Sequence, residues 1–157
     1  MPYTFISSDR SSNDVDVELR FTETLKPKRN EIENAVGAID FDDENDDPKT
    51  IVFDRSFNPT LGLLDPEYEN RAESIYQTNS KLIRLYLVSA VELAVSKLGR
   101  YETNDRQDII NLYQNQKFTL KEFKEVAAEA LSYCGASPNK VEFNIKMAIK
   151  LLEEKGL

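Results

Sequence analysis

The spacing of hydrophobic and polar residues divides the chain into two halves with different periods. Before residue 89, apolar residues occur in short runs, and in residues 14–19 they alternate strictly with acidic residues. From residue 89 onward, apolar residues recur every three or four positions, which is the period of an amphipathic helix. The pattern therefore predicts a sheet-bearing half over residues 1–88 and a helical half over residues 89–157, packed together as one compact unit.

Several short segments of the first half have strand character. The acid-aliphatic alternation predicts a strand over residues 14–21, and residues 51–53 form a second β-rich run. Residues 74–77 and 82–88 are typical of two strands joined by a turn. Because residues 82–88 are almost wholly apolar, we expect them to form a central strand or one that is covered on both faces.

One short helix and one acidic loop are expected between these strands. The apolar residues Ile32, Ala35, Val36 and Ile39 form a stripe at helical spacing, and Gly37 marks its end. The acidic segment 40–48 lacks the glycine and the closing glutamate of a calcium-binding loop. We therefore expect a solvated loop there.

The second half is expected to contain about four helices. Each apolar stripe lies between residues that favour helix ends, as caps, as a first-turn proline or as a terminal glycine. These boundary residues are Gly99, Asn104 with Gln107, Thr119 with Glu122, Ser137 with Pro138, and Gly156.

Composition and charge exclude several kinds of function. The 157 residues carry a net charge of −8, include no histidine and contain one cysteine, so histidine catalysis, histidine metal sites and an intrachain disulfide are excluded. Residues 1–78 hold 8 basic and 18 acidic residues, against 12 and 10 in residues 79–157. No basic face favours direct DNA binding. No apolar run approaches the length of a membrane span, and no signal peptide is visible, so we expect a cytoplasmic protein without a membrane partner.

The alternating strand is the first candidate site. Asp14 and Asp16 are two positions apart, so on a strand they share one face. Neighbouring carboxylates repel one another unless they are solvated, protonated or bridged by a cation, and an all-oxygen site suits Mg²⁺. The alternative is an ordinary amphipathic edge strand with a solvated acidic face.

A polar corner between two predicted helices is the second candidate site. Lys97 and Arg100 lie at the end of one helix, and Asp105 and Asp108 lie at the start of the next. Each charge is at the helix end that its dipole favours. The two cations could hold a phosphate chain against a metal ion, or they could pair with the two aspartates and fix the angle between the helices.

Three stretches of the chain resemble a known family. Residues 10–17 (RSSNDVDV) resemble its R-x-T-x-D-I-D strand, and residues 64–72 (LDPEYENRA) resemble its P-x-Y-E-x-R-A turn. Residues 93–100 (LAVSKLGR) with 105–109 (DRQDI) resemble its K-L-x-R…D-R-x-D-I corner. The family is the toxin–antitoxin-associated nucleotidyltransferase-like family, a relative of the AbiEii-type proteins within the minimal nucleotidyltransferase superfamily, and the resemblance covers about residues 10–152.

The resemblance implies a fold, a reaction and a set of roles. The fold is α/β (α+β), with a small mixed sheet in a nucleotidyltransferase-like core followed by a bundle of about four helices. The reaction is Mg²⁺-dependent nucleotide transfer in a toxin–antitoxin or defence setting. The implied roles are metal binding and catalysis for Asp14 and Asp16, a third catalytic carboxylate for Asp54, phosphate binding for Lys97 and Arg100, and orientation of those cations by Asp105 and Asp108.

One departure from the superfamily leaves a second function open. A glycine-rich turn normally precedes the acidic strand, where it lets backbone N–H groups approach the phosphates of the nucleotide. This chain has no glycine before Gly37. It is therefore either a shortened or inactive transferase, or a non-catalytic antitoxin-like protein whose acidic face binds a toxin-like partner. A plain structural subunit is the third alternative.

Overall fold

The computed structural model describes residues 14–43, 45–53, 62–79, 84–135 and 137–156. The described residues fall into two compact units: residues 14–53 form the sheet unit, and residues 62–156 form the helical unit. The sequence pattern placed the division at residue 88, where strands give way to helices. The structure instead groups the strands after residue 72 with the helices. No helix in the described ranges has the length and apolar character needed to cross a membrane.

The sheet unit is a three-stranded mixed sheet with one helix. Its strands lie in the order β1-β3-β2, with β1 parallel to β3 and β2 antiparallel to β3. The helix α1 lies in the connection between β1 and β2, and a 3₁₀ turn over Lys26–Lys28 leads into it. The elements are β1 (Asp14–Val17), α1 (Arg29–Val36), β2 (Ile39–Asp42) and β3 (Pro48–Phe53).

The strand β2 corrects the prediction of a solvated loop over residues 40–48. Gly37, at φ +60°, ends α1 early, so Ile39 begins a strand instead of extending the helix. The loop is confined to a tight turn, in which Asp43 Oδ1 accepts hydrogen bonds from the backbone N–H groups of Asn45 (2.8 Å) and Asp47 (3.1 Å). This Asx-type turn is short enough to close a hairpin.

The helical unit combines a two-stranded antiparallel hairpin with four helices, which confirms the predicted fold class. A 3₁₀ turn over Tyr68–Arg71 precedes the hairpin. The remaining elements are β4 (Glu73–Gln77), β5 (Arg84–Leu87), α2 (Ala90–Ser96), α3 (Thr103–Gln114), α4 (Leu120–Ser132) and α5 (Pro138–Lys155).

Two details of the helical unit differ from the sequence prediction. The strand β5 is not covered on both faces: Leu85 is 44% exposed and Tyr86 is 55% exposed. The helix α3 begins two residues earlier than expected, with Glu102 instead of Asn104 at its N-cap position. In contrast, Thr119 caps α4 together with Glu122, as the sequence predicted.

The four helices of the helical unit bury a continuous apolar core. Phe123 has no exposed surface and stacks on Phe118, with 5.6 Å between the ring centroids. The other fully buried residues come from all four helices and from the loop after α2, and they include Val95, Leu98, Ile109, Leu112, Ala127, Ala148 and Leu152. The loops around this core are therefore held on a rigid support.

Candidate functional site

The strand β1 carries the first two predicted site residues. In register, Asp14 lies beside Thr50 and Asp16 lies beside Val52 of β3. On the other side of β3, Thr50 is paired with Asp40 of β2. Positions 14, 50 and 40 therefore form one row across the sheet, and position 16 lies two residues further along the same strand.

The structure adds a second acidic strand that the sequence interpretation missed. Asp40 and Asp42 alternate with apolar residues along β2, and the register places their positions on the same face of the sheet as positions 14 and 16. The hydroxyl of Thr50 donates a hydrogen bond to Asp40 Oδ1 (2.7 Å), which orients that carboxylate. The period-two alternation in residues 39–42 was the sequence signal for this strand.

Part of the predicted acidic site lies outside the described residues. This applies to Asp54, the candidate third carboxylate, and to the side chains of Asp14 and Asp16. Where side chains are described, no three acidic or cysteine residues lie close enough together to hold a metal ion. The structure thus gives the backbone positions of the aspartate pair and the surroundings of Asp40.

A lysine lies beside the turn that joins the two strands of this hairpin. Lys49 is 9% exposed, and its Nζ is 3.7 Å from Asp43 Oδ2. Hydrogen bonds from the backbone N–H groups of Asn45 and Asp47 lower the pKa of Asp43, and the charge of Lys49 acts in the same direction. This end of the hairpin therefore holds an ionised carboxylate next to the buried Lys49 side chain.

The polar corner of the helical unit forms two ion pairs. Lys97 Nζ donates to Asp108 Oδ2 (2.8 Å), and Arg100 donates to both carboxylate oxygens of Asp105, at 2.8 and 2.6 Å. Asp105 is 1% exposed and also accepts the backbone N–H of Glu102 (2.9 Å). These hydrogen bonds, that of Arg100 above all, hold the pKa of Asp105 below its usual value, and Asp105 raises the pKa of Arg100.

The corner has the pairing expected if these residues fix the angle between α2 and α3. The bidentate contact gives Arg100 one orientation and satisfies the buried carboxylate of Asp105. The Arg100 side chain is nevertheless 65% exposed, whereas that of Lys97 is 22% exposed. Any phosphate bound at this corner would therefore meet cations that already have carboxylate partners.

The stretch 64–72 forms a buried charge cluster to which the sequence interpretation gave no role. Arg71 forms ion pairs with Asp65 and Glu92, and its Nε donates to Glu92 Oε1 at 2.5 Å. Asp65 is 1% exposed, Glu92 has no exposed surface, and Glu129 approaches Arg71 at 3.5 Å. A single arginine thus compensates two buried carboxylates and joins the 3₁₀ turn to α2.

Comparison with known proteins gives one result. The sequence profile of a family described as "Nucleotidyltransferase of unknown function (DUF6036)" matches residues 6–155. No curated protein and no solved structure matches the chain. The match spans both units and includes the acidic strand as well as the polar corner.

Proposed function

Because the chain belongs to the family described as nucleotidyltransferases of unknown function, we propose that it is a Mg²⁺-dependent nucleotidyltransferase whose site is built on the acidic face of the sheet unit. The observation that carries this proposal is the position of Asp14 and Asp16. They are two residues apart on a strand that runs parallel to its neighbour in a mixed sheet. Strand positions hold such a pair more rigidly than a loop would.

The donor chemistry of this face fits Mg²⁺. Carboxylate and hydroxyl oxygens are the groups at positions 14, 16, 40 and 50, and Mg²⁺ prefers oxygen ligands, few of them from protein. Asp14 and Asp16 would hold the ion, with Asp54 as the third carboxylate. When bound, the ion would neutralise negative charge on the phosphates of the nucleotide and polarise the phosphorus that is attacked.

The remaining site residues have supporting roles in this proposal. Lys97 and Arg100 would bind phosphate at the polar corner of the helical unit, and Asp105 and Asp108 would fix the direction of those two cations. A cation held in one orientation loses less conformational entropy when it binds an anion than a free side chain does. The setting would be a toxin–antitoxin or defence system, in which the nucleotide is transferred to a protein or an RNA.

A non-catalytic function is the second candidate, and a specific observation favours it. Both cations of the polar corner have aspartate partners, and every residue of β2 is exposed. Together with the missing glycine-rich turn, this suits a protein that has kept the nucleotidyltransferase fold and binds a toxin-like partner through its acidic face. Such a complex would form without Mg²⁺ or nucleotide.

A calorimetric titration tests the first proposal. The purified full chain is titrated with each nucleoside triphosphate in Mg²⁺ and, separately, in EDTA. We expect binding that requires Mg²⁺ and that is lost in the double variant Asp14→Asn with Asp16→Asn. The matched control is Asp46→Asn with Asp47→Asn, which removes the same charge from the exposed turn and leaves binding unchanged.

Two outcomes would contradict the transferase. One is the absence of Mg²⁺-dependent nucleotide binding in the wild-type chain; the other is binding that survives the Asp14→Asn, Asp16→Asn change. Co-purification of a basic partner that both double variants retain would instead support the second candidate, provided that the complex is unaffected by EDTA.

A further inference from the structure

A groove on the outer side of α5 lies in the helical unit, and no role has been assigned to it. It has a volume of about 380 Å³ and runs between the loop after α2, the first turn of α3 and the middle of α5. We call it the α5 groove. It is lined by Tyr101, Arg106, Phe143, Asn144, Met147 and Leu151, and by Lys150 and Glu154, which form an ion pair with each other at 4.0 Å. None of these residues belongs to the acidic sheet face or to the ion pairs of the polar corner.

The apolar surface of the α5 groove is exposed to an unusual degree. Phe143 is 62% exposed and Met147 is 43% exposed, although α5 also buries Val141, Ile145, Ala148 and Leu152 in the core. They are one turn apart, so their side chains form a continuous surface along α5. Large apolar side chains grouped in this way mark binding surfaces more often than isolated ones do.

Tyr101 forms one wall of the groove and has a left-handed backbone, at φ +57°. Its N–H donates to the carbonyl of Lys97 (2.8 Å) and closes the turn that follows α2, where a left-handed residue is usually glycine or asparagine. A tyrosine there bears a conformational cost that a smaller residue would avoid. Its aromatic ring supplies groove surface that glycine and asparagine could not.

Arg106 provides a cation in the groove that lacks a carboxylate partner. Its guanidinium lies over the Tyr101 ring, 5.4 Å from the centroid, and it forms no ion pair within the described part of the chain. Lys97 and Arg100, in the neighbouring corner, both have aspartate partners. An arginine held against an aromatic ring in this way remains able to bind an anion.

The floor of the groove is fixed in place. Asn144 is 6% exposed, and its Nδ2 donates to the carbonyl oxygen of Leu98 at 2.8 Å. This bond ties α5 to the loop after α2. The groove is thus largely formed before any ligand binds, as small-molecule sites usually are.

We propose that the α5 groove binds a mononucleotide, with the base against Phe143 and Tyr101 and the phosphate at Arg106. Aromatic surface beside an unpaired cation fits a planar ring that carries an anion. The choice of a nucleotide among such ligands rests on the proposed function. The site shares no residue with the acidic sheet face and requires no metal ion.

Titration calorimetry on the full chain in EDTA tests the proposal, with adenosine monophosphate as the probe. Adenosine lacks the phosphate and ribose 5-phosphate lacks the base, so each should bind at least about tenfold more weakly. Phe143→Ala and Arg106→Gln should each weaken binding of the monophosphate about tenfold. Both side chains lie at the surface, and thermal unfolding confirms that each variant is folded.

Two control variants test whether losing an aromatic ring or a cation elsewhere on the surface also weakens binding of the probe. Tyr133→Ala removes an aromatic residue of similar exposure from the end of α4, and Lys121→Gln removes an exposed cation from α4. Both should bind the probe as the wild type does. The Asp14→Asn, Asp16→Asn variant should also keep full binding in EDTA, even if it has lost Mg²⁺-dependent binding of triphosphates.

Several results would overturn the α5 site. These are no binding in EDTA up to millimolar probe, equal losses in the groove variants and their controls, or loss of binding in the Asp14→Asn, Asp16→Asn variant. A dimer that dissociates on Phe143→Ala would show that a second copy covers the groove. The two proposals can be separated. If the chain binds no triphosphate in Mg²⁺, but binds the monophosphate in EDTA in a way that depends on Phe143 and Arg106, the proposed transferase is contradicted and the α5 site is supported.

Discussion

The guanidinium of Arg100 donates two hydrogen bonds to the carboxylate of Asp105, from Nε to Oδ2 at 2.8 Å and from Nη2 to Oδ1 at 2.6 Å. The two residues are five positions apart: Arg100 lies in the turn after α2, and Asp105 lies in the first turn of α3. The contact determines the path of this turn, because the same carboxylate also accepts the backbone N–H of Glu102, the N-cap residue of α3. One buried carboxylate thus holds the turn against α3 and caps that helix.

We predict that Asp105→Ala lowers the free energy of unfolding by about 2–3 kcal/mol, since it removes charge-assisted hydrogen bonds from a buried carboxylate. Asp108→Ala is the matched control. Asp108 contacts Lys97 at a more exposed position, and its loss should cost about 1 kcal/mol or less. Urea unfolding followed by circular dichroism measures both. Equal losses of unfolding free energy in the two variants would show that the bidentate contact adds no stability beyond that of an exposed ion pair.

The pH dependence of stability should reveal the same contact. The hydrogen bond from Arg100 holds the pKa of Asp105 in the folded protein below its ordinary value of 3.8. The stabilisation is therefore complete above that value and is lost as the pH falls through the lower, folded-state pKa. Unfolding curves of the wild type and Asp105→Asn should differ by a constant amount near neutral pH and converge in acid. A difference in stability between the two proteins that persists to the lowest pH would contradict a lowered pKa of Asp105.

Arg71→Ala should be more damaging than the loss of any surface ion pair. It would leave Asp65 and Glu92 buried without a compensating charge, which costs about 3–5 kcal/mol. The control is Lys124→Ala, which removes an exposed pair with Glu153 and should cost less than about 1 kcal/mol. Thermal unfolding measures both. If the Arg71→Ala chain does not fold, Arg71→Lys should show a smaller loss in the same direction.

The substitutions Gly37→Ala and Gly99→Ala together test how much stability depends on a backbone conformation that only glycine adopts easily. Gly37 has φ +60° and ψ −155°, a region that is essentially restricted to glycine, so Gly37→Ala should cost about 1–3 kcal/mol although a Cβ there meets no atom within 4 Å. At Gly99 a Cβ would meet Ser96 O at an ordinary 3.7 Å. Gly99→Ala should therefore be neutral or stabilising by up to about 1 kcal/mol. Denaturant midpoints of the two variants give the comparison.

Asp40 should influence metal binding without being the principal ligand. It lies in the same register row as Asp14, with Thr50 between them. Asp40→Asn should weaken Mg²⁺-dependent nucleotide binding a few fold, because it removes a negative charge from the acidic face while keeping an acceptor for Thr50. Asp14→Asn should have a larger effect, and Asp46→Asn none. The metal ion is titrated at constant nucleotide, and an equal effect of Asp40→Asn and Asp46→Asn would contradict a shared acidic face.

The helices were predictable because their information is local. Apolar residues at three- and four-residue spacing, a Thr119–Glu122 capping box and Pro138 at the first turn of α5 each act within a few residues. The missed strand β2 and the misjudged exposure of β5 depend instead on partners elsewhere in the chain. A four-residue strand forms only when its hydrogen bonds are completed by another strand, and whether an apolar strand is covered depends on what packs on it.

By itself, the sequence determined the helical half, the β1 strand with its aspartate pair and the membership of a nucleotidyltransferase family, because periodicity, caps and motifs are properties of neighbouring residues. Only the tertiary structure decided that Asp40 shares a row with Asp14, that Lys97 and Arg100 have aspartate partners, and that Phe143 and Arg106 line one groove. Those relationships join residues that are distant along the chain or on different elements. They are fixed by strand register and helix packing, which no local pattern encodes.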